Sequence, residues 1–379
     1  SVCQLSEDDS KVMIHGLQSR AIREVRRAEP ANWEWVEDAA ARLLGAVDVT
    51  AIPVRDSAGR RREALDLVEQ LRAVTGQDHS KTLFSYPRTA DALAHALWYA
   101  AELGDPQAAL SLSDAVNLLD ETLGPDHTRT LAARNSLAHA YLSAGRLKEA
   151  IDLFEQNLDD IKRVLGPDHA HTLTSRDNLA YAYLSAGRLD EAIDLHGRTL
   201  ADRERLLEPD HPDILISRNN LALAYQDAGR LDEAIDLHEQ NLTEALRVLG
   251  PDHPHTLVSR GNLAGAYESV GRLDEAVDLH EQNLTEALRI LGPDHPHTLV
   301  SRGNLADAYL SAGRRDEAIG LFERNLAEAM RVLGPDHPNT RIFRDSLVDA
   351  YRAVGRDEDA AALLDPPSDP DDTDAETPT

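Results

Sequence analysis

The chain has 379 residues, a formal net charge of −28 and a sequence pI near 4.8. Such a chain lacks the clustered Lys and Arg that phosphate binding requires, which argues against nucleic acid and favours a basic or neutral partner. One cysteine, Cys3, rules out an intramolecular disulfide; with no apolar run able to span a membrane and no signal peptide, the expectation is a cytoplasmic chain with no membrane partner.

In chain order, residues 1–30 carry no repeat, and Lys11 to Gln18 reads as a short strand running into a basic helix, Ser19 to Arg27. Trp33 to Val47 reads as a helix and Thr50 to Ser57 as irregular. Ala58-Gly59-Arg60 and Gly76-Gln77-Asp78-His79 imitate turns that recur later, so residues 31–123 form degenerate units. The second of these, Thr82 to Leu123, is interrupted at Phe84-Ser85-Tyr86-Pro87 and turns at Gly104-Asp105-Pro106. Terminal repeats depart from the pattern because they cap the stack.

A Gly-Pro-Asp-His signal then recurs from Gly124 through Gly166, Gly250 and Gly292 to Gly334 in steps of 42 residues, with Glu208 replacing the glycine once. Within one unit, Leu231, Ala234, Ile235, His238 and Leu242 follow a three-to-four spacing, as do Leu257, Leu263, Ala264 and Tyr267. That spacing predicts two amphipathic helices. Gly229 supplies the left-handed residue of a tight turn between the two helices of a pair. In the long turn Gly250 closes a helix, Pro251 cannot continue it, and Pro254 holds His253 extended while opening the next helix itself. The regular array covers 124–364 and ends in a helix pair, Arg341 to Leu364, whose second helix is shortened; 365–379 is acidic, Pro-rich and expected to be disordered.

Leu263-Ala264-x-x-Tyr267 followed by Gly271 and Ala276, with Ala150-x-x-x-Phe154 elsewhere, resembles the tetratricopeptide repeat. The usual unit has about 34 residues; the surplus here is roughly one turn per helix, and the long form is similar to the repeats of kinesin light chains and of actinobacterial regulators. The resemblance implies an all-α, right-handed superhelix of antiparallel helix pairs that binds protein or peptide in a concave groove. Val12 to Val25 resembles the end of the winged-helix part of NB-ARC (STAND) signal-transducing ATPases, which implies an upstream ATPase domain in a longer bacterial regulator; an N-terminal cap is the other reading.

In the family's pattern the first helix of each pair lines the groove. At 100° per residue, Asn219, Asn220, Leu223, Gln226 and Asp227 fall within about 120° of one another. A ladder of Asn178, Asn220, Asn262 and Asn304 could hold the backbone of an extended peptide, since an amide both donates and accepts; the alternative is that the amides bond across repeats and align the stack. Three residues on, the column varies through His139, Tyr181, Leu223, Gly265, Asp307 and Asp349. The near-identical repeats differ at Gly265 against Asp307 and Glu268 against Leu310, so change concentrates where a ligand would touch. Gly261, Gly265 and Gly303 are expected to widen the groove, and Asp177, Asp227, Glu268, Asp307 and Asp349 to make it acidic, which suits a basic guest. Trp98 is a core or cap residue that could border the groove.

A second ladder, Arg134, Arg176, Arg218, Arg260, Arg302 and Arg344, faces the packing side. It calls for partners, of which the loop residues Asp168, Asp210, Asp252 and Asp294 and the second-helix residues Asn157, Asn241, Asn283 and Asn325 are candidates. His253-Pro-His255 and His295-Pro-His297 are too dispersed for a metal site. His238-Glu239 lacks the second His of a zinc-protease motif, and neither a nucleophile elbow nor a P-loop is present. The expectation is a binding protein that is not an enzyme and carries no cofactor. A free-standing adaptor and a self-assembling spacer are its rivals.

Overall fold

The computed structural model describes residues 57–75, 80–335 and 337–364, together with Ala41, Leu44 and Gly45. The expected strand and helix in 1–30, the turn at 76–79 and the acidic tail fall outside them. Of the expected helix at Trp33 to Val47, Ala41 and Leu44 are helical and buried.

The described chain is helical, with no strand among the described residues, and divides into two compact units, Ser1–Pro209 and Asp210–Thr379. The first unit holds α1 (Ser57–Thr75), α2 (Ser80–Ser85), α3 (Pro87–Glu102), α4 (Pro106–Leu110), α5 (Ser113–Leu123), α6 (Thr128–Ser143), α7 (Leu147–Leu165), α8 (Ala170–Ser185) and α9 (Leu189–Leu206). The second holds α10 (Pro212–Asp227), α11 (Leu231–Val248), α12 (Pro254–Ser269), α13 (Leu273–Leu291), α14 (Pro296–Ser311), α15 (Arg315–Val332), α16 (Pro338–Ala353) and α17 (Asp357–Leu364). In each unit successive helices pack as antiparallel pairs and pairs stack on pairs, the solution open to repeats that cannot bury an apolar face alone.

The degenerate repeat is broken where its sequence says. Pro87 cannot extend α2, so the chain kinks at Tyr86 and restarts as α3. After Gly104, at φ 91°, Asp105 caps α4 by accepting from the amide of Ala108 at 3.0 Å. Core packing follows the helical spacing: Ala150, Ile151, Phe154 and Leu158 of α7 meet Leu179 and Ala182 of α8, and the equivalent Ala318, Ile319, Phe322 and Leu326 of α15 meet Phe343 and Leu347 of α16. Each fully buried Leu or Phe contributes about 1.5–3 kcal/mol.

Both turns are fixed by chemistry that repeats with the sequence. In the tight turn after α12, Gly271 adopts φ 77°, a conformation that side chains resist. Arg272 follows, lays its guanidinium 3.8 Å from the centre of the Tyr267 ring, and forks onto Glu275 in the first turn of α13. The Tyr267 hydroxyl donates to Glu239 of α11 at 2.8 Å, tying one pair to the one before it. In the long turn, His253 is extended as Pro254 requires, and its Nδ1 accepts from the amide of His255 at 3.2 Å, while the Thr256 hydroxyl donates to the carbonyl of Gly250 at 2.7 Å. These histidines are helix caps.

Candidate functional site

The arginine ladder takes other partners than its spacing suggested. Arg134 and Arg176 are buried as expected, but their partners are neither the loop aspartates nor the second-helix asparagines. Arg134 bonds Asp120 and Asp160, each at 2.8 Å, and Arg176 bonds Asp202 at 2.7 Å; in the second unit Arg302 pairs with Glu328. Apart from Asp120, the acid comes from the second helix, 26 residues on. The loop acids Asp168, Asp210, Asp252 and Asp294 are taken instead by Arg205, Arg247, Arg289 and Arg331. Asn157 donates to the carbonyl of Leu131 at 3.1 Å and Asn241 to the hydroxyl of Ser259 at 3.1 Å. Arg260 stands apart: Glu286, the counterpart of Glu328, pairs with Arg289, leaving one buried guanidinium nitrogen of Arg260 without a partner. Burial accordingly pulls its pKa down, against the weaker pull of Glu286.

The asparagine ladder bonds across repeats at two places. Asn178 donates to Oδ1 of Asn135 at 3.0 Å, and Asn262 donates to Oδ1 of Asn219 at 2.7 Å. Asn304 is exposed, and its would-be acceptor position is Gly261, which has no side chain to offer. Asn220 is half-buried on α10.

In the first unit, the Asn135–Asn178 bond lies at a cavity of about 530 Å³, with Leu131, Ile161 and Leu165 as apolar lining and His169 and His171 stacked 5.2 Å apart at one end. Tyr181 is exposed. His139 is half-buried, its ring edge-on to Trp98 at 4.8 Å and to Phe154 at 5.1 Å, and burial lowers its pKa to about 4. Trp98 is 40% exposed and thus does border this face. Asp177 does not acidify it: its carboxylate is buried, accepting from Arg203 at 2.8 Å and meeting Nδ1 of His196 at 3.0 Å. Arg203 stands where the other regular repeats have Ile161, Ala245, Ala287 and Ala329, a difference that was readable only once the partner was known.

In the second unit, Leu223 and Gln226 are half-buried on α10, and Gln226 donates to the hydroxyl of Ser269 at 3.3 Å. Gly265 of α12 does open space, since a side chain there would meet nothing within 4 Å. Gly303 does not: a Cβ there would come within 3.1 Å of the Phe343 ring, so its absence makes room for the core. A Cβ at Gly261 would make only an ordinary contact with Asn283, at 3.5 Å.

The electrostatic centre of this unit joins three helices. Glu268 on α12 faces the buried Nε2 of His280 on α13 at 2.9 Å, and Asp307 on α14 feels both. Asp307 keeps one side in solvent, yet protein crowds its carboxyl enough that burial, reinforced by Glu268 and opposed by His280, pushes its pKa up to about 6. Among the described residues no Arg or Lys pairs with Glu268 or Asp307, in contrast to the buried acids of the arginine ladder. His280 is the member that sequence spacing missed, because its helical position marks it as core.

Among the described residues no group of His, Cys, Asp and Glu can hold a metal ion, and no helix is long and apolar enough to cross a membrane.

Comparison places this geometry among known proteins. The chain is similar to the nearly identical repeats of a kinesin light chain from Podosopora anserina, at 35% identity over 53% of this chain and 95% of that one, TM-score 0.47. It is also similar in fold to a Rap protein complexed with Competence and Sporulation Factor, at 12% identity over 82% and 96% of the two chains, TM-score 0.51. A third similarity is to a signal-transduction ATPase with a tetratricopeptide repeat sensor from Pyrococcus horikoshii, at 14% identity over 94% of this chain and 52% of that one, TM-score 0.48. No curated protein matches. The model of the tetratricopeptide repeat matches residues 88–159, 129–205, 179–242, 213–285 and 261–327, a continuous cover of 88–327. With its helix pairs, its glycine turns and this match, the chain belongs to the tetratricopeptide repeat family.

Proposed function

We propose that the chain is a docking scaffold whose first-helix face in the second unit holds a protein segment presenting a lysine or arginine between Glu268 and Asp307. The observation that carries this is the pair of carboxylates that no Arg or Lys among the described residues meets, in a molecule that answers the half-buried acids Asp160, Asp202 and Glu328 with arginine. An ammonium or guanidinium entering there would offset the burial and the repulsion from Glu268 that raise the pKa of Asp307. In the first unit, the apolar cavity beside Asn135 and Asn178 suits an aliphatic side chain of a bound segment.

Site-specific photo-crosslinkers test the docking face. Placed at Leu223 and Gly265, and separately at the exposed Gln240 and Gln282 of the second helices, they should capture a discrete partner in source-cell lysate from the first pair only. Capture from the second pair alone would place docking elsewhere. The reading as the sensor arm of a larger ATPase rests on the Val12 to Val25 resemblance; the coding sequence upstream of Ser1 tests it, since a P-loop there supports it and a nearby start codon removes it.

A further inference from the structure

One repeat before the acidic pair, the same three positions are occupied differently. Glu268, His280 and Asp307 become Gln226, His238 and Gly265, each 42 residues earlier. His280 has its Nε2 satisfied by Glu268. His238 is completely buried, and neither of its ring nitrogens has a partner. Gln226 spends its amide on Ser269, while its Oε1 is buried and also unpartnered. At the third position Gly265 lacks the side chain that Asp307 carries in the next repeat, and a Cβ there would meet nothing within 4 Å.

Unpartnered buried polar groups destabilise a fold, so Gln226 Oε1 and the His238 Nε2, whose counterpart Glu268 meets in the next repeat, call for a group that answers them. Burial holds His238 neutral, with its pKa near 4, so one ring nitrogen donates and the other accepts. Gln226 Oε1 asks for a donor. A carboxylate would answer only the histidine N–H and would repel Gln226 Oε1, and a cation would leave the histidine N–H unanswered. A carboxamide offers an acceptor and two donors from one planar group, so it can answer Nε2 of His238 in either tautomer together with Gln226 Oε1.

We infer that Gln226, His238 and Gly265 form a subsite for the carboxamide of an asparagine or glutamine side chain on the docked segment. This rests on the docking reading above and sets a second requirement beside it: a carboxamide in one repeat, a cation in the next. The repeats themselves supply the controls. His238→Phe installs the residue that Phe154 and Phe322 occupy at the same place, and Gly265→Asp copies Asp307.

The experiment titrates the full chain with short, capped alanine-serine peptides that carry one lysine and, at varied offsets, either glutamine or its apolar counterpart leucine. Affinity is read by fluorescence anisotropy and occupancy of the niche by the ring-nitrogen resonances of His238. We expect the best glutamine peptide to bind about tenfold tighter than its leucine twin and to shift the His238 resonances. That advantage should vanish in both His238→Phe and Gly265→Asp. Equal affinity of the twins, an advantage that survives His238→Phe, or His238 resonances that no peptide moves would overturn the subsite. Replacing lysine by norleucine separates the two readings: its loss of effect counts against the Glu268–Asp307 site alone, whatever the glutamine comparison gives.

Discussion

Asn262 donates to Asn219 at 2.7 Å across two neighbouring repeats, and the corresponding acceptor for Asn304 has been deleted to Gly261. The same residue type is therefore a tie between helices in one repeat and an exposed amide in the next. Asn262→Ala should cost about 1 kcal/mol of stability, whereas Asn304→Ala should stay within about 0.5 kcal/mol. Urea unfolding of the two variants checks this; equal losses would mean that the amide bond carries no stability.

The arginine ladder predicts an equally uneven result. Arg302 is buried and paired with Glu328, so Arg302→Ala strands a half-buried carboxylate and should cost about 3 kcal/mol or more. Arg260 has no paired acid and an unsatisfied nitrogen. Arg260→Met keeps the packing of the side chain while removing a buried charge, and should be neutral or stabilising. Thermal melts would contradict the account if Arg260→Met lowered the transition as far as Arg302→Ala.

The tyrosine clasp offers a third test. Tyr267→Phe keeps the ring under Arg272 and deletes only the bond to Glu239. A loss of about 1.5 kcal/mol is expected for a bond to a charged acceptor, and Arg272→Ala should cost further stability through the lost ring contact. Denaturant midpoints of the single and double variants measure the coupling.

Two titrations have opposite signs. Asp307 holds its proton up to about pH 6 in the folded chain and has released it near 3.8 when unfolded. Folding thus retains a proton in that window, and stability falls as pH rises through it. Asp307→Asn should remove this decline. His238 behaves inversely: unfolded it takes a proton near 6.5, but folded only near 4. Stability should therefore fall as pH drops from 6.5 towards 4, and His238→Phe should flatten that acid limb. Melting curves across pH 4 to 7 read both.

The repeat, its turns and its core were legible in the sequence because one spacing, 42 residues, carries them all. Gly229 and Pro254 declare their backbone angles, and Ala150 with Phe154 declares the buried face. The polar partners were not legible. Nothing in the spacing of Arg134 distinguishes Asp160 from Asp168, since helix rotation decides which acid arrives. Gly265 and Gly303 read alike, yet one opens space and the other accommodates Phe343. His238 and His280 also read as core, and only their contacts reveal that Nε2 meets Glu268 in His280 while neither ring nitrogen of His238 has a partner.

Lysine and norleucine peptides, compared on the native chain and on Glu268→Gln with Asp307→Asn, decide whether Glu268 and Asp307 hold a cation of the partner. Lysine is expected to bind at least about tenfold tighter to the native chain, the preference to shrink from pH 7 to pH 5 as Asp307 takes up its proton, and the double variant to lose it. A lysine preference absent at pH 7, or unchanged in the double variant, would contradict the account.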